Sequence, residues 1–377
     1  MAPPVCKGAA VAATESLRHW STRLWALLAG LIAGGAAHAV TLPEDRAEAL
    51  IHGYHGGGVT ATGPAVLVRK SLADRVSLSA SYYVDMVSNA SIDVVTTASP
   101  FRERRNAYDL GLDYVYRDSL ITLGLSSSKE PDYTADGLSL DVAQEVFGGM
   151  TTVSLGFTRA HDKVGKKDIG FFDTARHWQY RFGLTQILTP RWLASANFEA
   201  VSDDGYLGSP YRAARVFGAA VPERNPRTRS SRAVKLRAIG DMGSRDAVRA
   251  EYRYFWDNWA IKSHTVELGY ARHIGEAWLA DAFTRFYTQN HALFYSDNAT
   301  TETTYLSRNR QLASFSSVGL GAKLSYTLPR AASAYQMKLN GSLEVLRFKY
   351  RDFTDVRSGS PYSFVGSVMQ LYVSATF

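Results

Sequence analysis

The sequence predicts an all-β fold: a transmembrane antiparallel up-and-down β-barrel of about sixteen strands, with fourteen the next count. Three observations carry it. Short segments recur in which apolar and polar residues alternate with a period of two, the signature of strands with two unlike faces. Short turns alternate with longer loops, as in outer-membrane barrels. The last strand, Ser363–Phe377, ends on an aromatic residue. Past residue 39 no apolar run reaches the ~18 residues that a membrane helix needs. The 377 residues are 46% hydrophobic, and Tyr (21), Phe (17) and Trp (7) are frequent, which suits strands.

The last strand sets the pattern. Phe377, Ala375, Val373, Leu371 and Met369 share one face, then Ser367 and Val365. Thr376, Ser374, Tyr372, Gln370, Val368 and Gly366 share the other. A strand at a chain end frays unless both its edges are held, and closing the sheet into a barrel holds them. A soluble sandwich would share the alternation without needing the terminal Phe.

The chain starts with a targeting segment, residues 1–39. Lys7, Arg18 and Arg23 precede an apolar run, Leu24 to Ala39, that closes on Ala37-His38-Ala39, an A-x-A cleavage signal. An amino-terminal anchor is the alternative, and the polar stretch before Arg18 leaves a start later than Met1 open. Beyond residue 39 there remain 39 basic against 34 acidic residues, a net +5. The only cysteine, Cys6, precedes the cleavage signal, so the exported chain has no disulfide, thiolate ligand or Cys nucleophile. The basic excess accompanies no nucleic-acid motif, and nucleic acid is not expected as a partner.

Residues 40–46 form a periplasmic lead and 47–377 the barrel. Ala47–His55 is the first strand, turned by Gly56-Gly57-Gly58, with no Lys-Ser/Thr after it to make a phosphate loop. Pro64–Lys70 is extended. In Val76–Val87 the residues Val76, Leu78, Ala80, Tyr82, Val84 and Met86 oppose Ser77, Ser79, Ser81, Tyr83 and Asp85. A loop at Ser88–Phe101 precedes Tyr108–Tyr116, the turn Arg117-Asp118 and Leu120–Ser127. Loops are expected around Glu130–Tyr133 and over Asp162–Thr174. Strands run through Leu138–Val142, Val153–Phe157, Trp178–Thr185 and Trp192–Ala200. The longest irregular stretch is Asp203–Ser231. Alternation resumes at Val234–Ala238, Val248–Asp257, Val266–Tyr270 and Trp278–Tyr287. A long loop, Asn290–Gln311, precedes Phe315–Leu328, the turn Pro329–Ser333 and a strand from Tyr335. Near Leu346 the alternation slips, which predicts a bulge. Tyr82, Tyr116, Trp178, Trp192, Trp256, Trp259 and Trp278 lie near strand ends, as interface girdles do.

Four stretches, Ser91–Phe101 (SIDVVTTASPF), Asp132–Asp136 (DYTAD), Asp204–Arg212 (DGYLGSPYR) and Pro226–Ser231 (PRTRSS), resemble the bacterial domain-of-unknown-function 3570 family of predicted outer-membrane barrels. The resemblance spans about residues 45–377. It implies the fold and the outer membrane of a Gram-negative bacterium, and carries no chemistry onto particular residues.

Parity selects the lumen-facing candidates: Asp85, Asp109, Asp113, Asp141, Arg181, Glu199, Lys235, Arg237, Arg249, Glu251, Arg253, Asp281 and Arg285. The first half leans acidic and the second basic. That arrangement sets a transverse field across a wet lumen or pairs into a salt-bridged wall. Arg212, Arg215, Arg224, Arg227 and Arg229, with Arg232, are outer-loop candidates for binding anions, including lipopolysaccharide phosphate, or simply a solvated loop. His52 and His55 fall on opposite faces, so no metal site is expected, and no cofactor. His161-Asp162 and Asp203-Asp204 suggest water activation, but adjacent side chains on a strand diverge, and no catalytic residue is assigned.

The functional expectation is a channel or transport barrel for a small solute. A non-conducting docking barrel for periplasmic or surface partners is the alternative, and an outer-membrane hydrolase the third reading. Outer-membrane lipid, lipopolysaccharide and the barrel-assembly machinery are the expected partners.

Overall fold

The computed structural model describes residues 40–89, 101–329 and 335–377. The targeting segment and most of the Ser91–Phe101 motif lie outside these. Sixteen antiparallel strands close into one barrel, each paired with its neighbours in sequence. They are β1 (Arg46–Gly56), β2 (Val59–Ala73), β3 (Val76–Asn89), β4 (Phe101–Tyr116), β5 (Ser119–Glu130), β6 (Tyr133–Val146), β7 (Thr151–Lys166), β8 (Phe171–Thr189) and β9 (Trp192–Gly205). A small separate hairpin, β10 (Ala213–Val216) and β11 (Ala219–Pro222), stands in the connection to β12 (Thr228–Gly243). The barrel continues through β13 (Asp246–Asp257), β14 (Lys262–Ile274), β15 (Trp278–Gln289), β16 (Phe315–Thr327), β17 (Gln336–Asp355) and β18 (Ser360–Thr376).

The terminal strand closes the sheet. β18 pairs with β17 on one side and with β1 on the other, in register from Arg46↔Thr376 to Gly56↔Gly366. Phe377, Met369, Leu371 and Val373 face outward and exposed, and Ala375 shares their parity. At the lower end, which holds Asp45 and Phe377, the seam is latched. The Phe377 amide donates to the Asp45 carbonyl (3.2 Å). Lys70 donates to the Asp45 carboxylate (2.6 Å) and sits 4.8 Å from the centre of the Phe377 ring, which meets Tyr335 edge-on at 5.6 Å. The bond from Lys70, then those from Ser71, hold the Asp45 carboxyl down at about 2.

Outward positions form an apolar belt. On β4, Tyr108, Leu110, Leu112, Tyr114 and Tyr116 are all exposed, while Asp113 between them is buried. The eight steps from Tyr108 to Tyr116, at ~3.4 Å each and tilted by roughly 40°, span ~20 Å, close to the ~25 Å lipid band of such barrels. Tyr82, Tyr116, Trp178, Trp192, Trp256 and Trp278 share the belt's outward parity. Trp259 does not: it is 5% exposed, inside a cluster at the barrel mouth.

Three further expectations need correcting. The upper connections are not uniformly long. Those between β1 and β2 and between β5 and β6 are two-residue turns, so no loop forms around Glu130–Tyr133. Instead of a loop over Asp162–Thr174, β7 and β8 run on to Lys166 and from Phe171, joined by a single 3-10 turn at Lys167–Ile169. The alternation near Leu346 does not break: β16 and β17 stay in register from Lys338 to Tyr350. What changes is the chemistry of the faces. Met337 to Val345 point outward within the belt, then Arg347, Lys349 and Arg351 point outward above it, while Leu346, Phe348 and Tyr350 turn inward. The true irregularity lies between Lys349 and Thr354.

Candidate functional site

The inner face carries Asp85, Asp109, Asp113, Asp141, Arg181, Glu199, Lys235, Arg237, Arg249, Glu251, Arg253, Asp281 and Arg285, each on the parity opposite the belt. They pair locally along the wall. In the second half, Arg249 bridges Glu267 (3.5 Å) and Asp281 (2.9 Å). Arg285 bridges Glu267 (3.1 Å) and Glu344 (2.9 Å). Lys235 lies 3.6 Å from Glu251, whose backbone partner on β12 is Arg237. In the first half, Arg181 makes a two-pronged contact with Asp141 (2.9 and 3.0 Å). Asp113 faces Arg69 at 3.2 Å, and Asp109 accepts from Ser81 at 2.8 Å. Arg253 and Glu199, 3.6 Å apart, tie the halves together. The acidic and basic halves thus form a ladder in which the bridged charges sit beside their partners along the wall.

Two glycines make the longer reaches possible. Gly156 stands between Asp141 and Arg181 in the register, and a Cβ there would come within 2.2 Å of the Asp141 carboxylate and 2.8 Å of Arg181 Nε. Gly269 lies beneath Arg249, where a Cβ would meet the guanidinium carbon at 2.4 Å. Each ion pair crosses an intervening strand over a position with no side chain.

Asp85 belongs to a buried group. His52 Nε2 is 2.8 Å from Asp85 Oδ1 and from the Tyr83 hydroxyl, the His52 and Tyr83 rings stack at 4.5 Å, and Arg105 approaches Asp85 at 3.7 Å. His55 is on the opposite, exposed parity, beside Thr60. Among the described residues no group of three or more His, Cys, Asp or Glu is arranged to hold a metal.

His161-Asp162 and Asp203-Asp204 diverge as adjacent residues must: His161 and Asp204 point outward, Asp162 and Asp203 inward. The inward two meet His177, which the sequence did not single out. Its Nδ1 is 2.7 Å from Asp203 and its Nε2 3.1 Å from Asp162, an arrangement suited to an imidazole carrying both protons. The available signal was parity, since His177 shares a face with Gln179 and Arg181. A Ser314, His291 and Asp352 grouping also forms, but Ser314 Oγ (3.2 Å) and Asp352 (2.7 Å) both approach Nδ1. A proton relay needs the hydroxyl at the other ring nitrogen.

Two interlocked loops, 206–227 and 290–314, cross the upper mouth. Their backbones bond at Phe217–Ala299, Ala299–Arg215 and reciprocally at Arg224–Leu306 (2.8–2.9 Å). Glu223 accepts from Ser307 Oγ and the Arg308 amide, Arg224 pairs with Glu302, and Arg212 donates to Asn309 (2.6 Å). The pair reaches around the rim: Tyr211 to Asp132, Lys166 to the Pro210 carbonyl, Arg310 to the Gly57 carbonyl and Arg308 to the Thr354 carbonyl. Beneath it Trp259, Ile261, Tyr350, Phe353 and Tyr362 pack against Ala292, Tyr295, Leu312 and Ala313. Burial pushes the Tyr206 hydroxyl up to about 12.

The outer-loop arginines are distributed through this lid. Arg215 lies in β10, near the Gly218 carbonyl. Arg227 makes a two-pronged contact with Asp173 (2.7 and 2.9 Å). Arg229 is not a loop residue. It lies in β12, faces inward, and binds Asp257 at 2.6 Å under the Trp259 ring. Arg232 is exposed on the outward parity. The buried lid arginines, Arg308 over Phe353 (4.3 Å) and Arg310 near Phe364 (5.6 Å), were not anticipated, because their partners lie on β17 and β18.

A closed sixteen-stranded sheet with an outward apolar belt and an inward ionic wall defines the fold class of outer-membrane β-barrels. The sequence profile of the family described as "Protein of unknown function (DUF3570)" matches residues 166–350, the family its motifs resemble, with Asp204–Arg212 and Pro226–Ser231 inside the match. No curated protein matches the sequence. Similar solved structures include the siderophore receptor PirA from Pseudomonas aeruginosa, at 10% identity and a TM-score of 0.43, covering 90% of this chain and 81% of that one. A FadL homologue from Pseudomonas aeruginosa has 10% identity, a TM-score of 0.42 and coverage of 89% and 90%. A loop-deletion variant of OmpT, an outer membrane protein of Vibrio cholerae, has 7% identity, a TM-score of 0.45 and coverage of 88% and 99%.

Proposed function

We propose that this chain is a transport barrel for a small solute in the outer membrane of a Gram-negative bacterium, closed at its outer mouth by a lid that must part for passage. The supporting observation is the exposure of the mid-wall charges. Arg253 and Glu199 keep 35% and 36% of their side-chain surface, and Lys235 30%, although they face into the barrel. A lumen packed solid would cover them. A sixteen-stranded barrel is wide enough to hold an aqueous channel. On this reading the wall supports a wet path and the lid controls it; catalysis is not needed. Assembly would use the barrel-assembly machinery, with Phe377 completing the outward row.

The closed mouth also suits a non-conducting docking barrel. Conductance in planar bilayers separates the two. Replacing Glu223 and Arg224 by Ser removes contacts that join the loops, and should raise single-channel conductance above that of the unaltered barrel. Silence in both proteins would refute transport and leave docking.

A further inference from the structure

The outward face of β4–β7 holds a hollow of about 470 Å³ at the top of the apolar belt. Its lower lining is Leu110, Leu125 and Leu138, each about half exposed. It is hollow because Ser127 is small where its outward neighbours are large. Its upper lining is Arg159 and His161, and parity sets Lys129 and Lys163 on the same outward surface above it. All four are exposed. Lys129, Arg159 and Lys163 form no ion pair with another described residue. One acid, Asp136, also lines the hollow; it accepts from Ser127 Oγ at 2.7 Å.

We infer that this hollow binds a phosphate-bearing lipid of the surrounding leaflet, with an acyl chain against the three leucines and the phosphate at Arg159 and Lys129. The position fits an amphiphile and little else. The apolar part opens where hydrocarbon lies. Arg159 ends that row on β7, level with the leucines in the register, while His161 stands two residues higher and Lys129 and Lys163 four, where headgroups lie. Arg offers paired donors that match phosphate oxygens, and Lys adds a point charge. Soluble anions would have no use for the apolar floor. The inference goes beyond the transport reading and shares with it only the placement of the belt in a bilayer, which membrane fractionation tests separately.

The full-length barrel, purified in detergent, is titrated with diphosphorylated lipid A and bound lipid is read by native mass spectrometry. Each basic side chain near a membrane surface is worth roughly fivefold in binding, so Lys129→Ser with Arg159→Ser should weaken binding by about tenfold or more. Arg347→Ser with Lys349→Ser removes the same charge from β17, above the belt on another part of the barrel, and should leave affinity within about twofold of the original. Ser127→Leu keeps the basic residues and fills the hollow; it should also weaken binding. Dephosphorylated lipid A should bind the unaltered barrel poorly, and millimolar inorganic phosphate should not displace the lipid. A shift of the unheated band on gels checks that each variant is folded. Equal losses in both double variants, no loss in the first, unchanged binding by Ser127→Leu, or displacement by inorganic phosphate would each overturn the site.

Discussion

Replacing Arg249 by Gln removes the guanidinium that joins Glu267 to Asp281. Arg249 is 14% exposed, Glu267 4% and Asp281 16%. At 3.5 Å and an effective dielectric near 20, one unit pair is worth ~5 kcal/mol before desolvation is counted. Glu267 keeps Arg285 at 3.1 Å, so only part of its compensation is lost, while Asp281 loses its bonded partner. Breaking such a buried pair costs about 3–5 kcal/mol. Arg253→Gln is the internal comparison. Its pair with Glu199 is half-open to the lumen, where screening leaves roughly 0–1 kcal/mol. Unfolding in denaturant, followed by tryptophan fluorescence in lipid vesicles, should therefore show a large loss for Arg249→Gln and almost none for Arg253→Gln. The same pair predicts which residue tunes permeation: Arg253→Glu should shift ion selectivity towards cations, more strongly at low salt. Equal stabilities of the two Gln variants would refute the view that the wall is held by bridged charges.

Gly269→Ala should mimic part of the Arg249 effect without touching a charge, because its Cβ would displace the guanidinium. A melting temperature unchanged from the original would count against the glycine's role, and Gly341→Ala, whose Cβ has only the end of the Leu371 side chain near it at 3.3 Å, serves as the control. At the seam, deleting Phe377 removes its contacts with Lys70 and Tyr335 and should lower the yield of folded barrel in cells, measured by the heat-modifiable band. The Asp45 carboxyl falls from an ordinary value of about 4 to about 2 in the fold. Its contribution is thus fully present above the unfolded value and lost as pH falls through about 2. Acid unfolding of Asp45→Asn should lack that component, and identical acid profiles would remove the latch from the account.

The belt was legible because it repeats: between Tyr108 and Tyr116, or Met337 and Val345, one face must meet hydrocarbon and the other water. Nothing forces that contrast higher up. From Leu346 to Lys349 the apolar and charged residues exchange faces while the backbone keeps its register, so a pattern tied to hydrophobicity reports at Leu346 a slip that the chain makes only beyond Lys349. The lid was illegible for another reason. Glu223 and Arg308, or Arg308 and Phe353, are joined by packing across the mouth, and no local periodicity encodes it. Arg229 was read as a loop residue because its neighbours Pro226 and Arg227 are irregular, although the strand begins at Thr228.

The inward charges were found by parity, yet their partners were not, and the reason is geometric. Parity fixes which face a residue takes; register fixes whom it meets. Arg181 sits among Gln179, Gly183 and Thr185 in sequence, but its acid is on β6, two strands away, reached over Gly156. Arg249 reaches Asp281 over Gly269 in the same manner. Summing charge over each half of the chain therefore suggested a transverse field, whereas bonding distances favour the adjacent wall over the far side of the lumen. An inward glycine between two oppositely charged inward residues is the sequence mark of such a bridge. It becomes readable only once the register is known, since a one-residue shift would put the glycine on the lipid face and a side chain under the arginine.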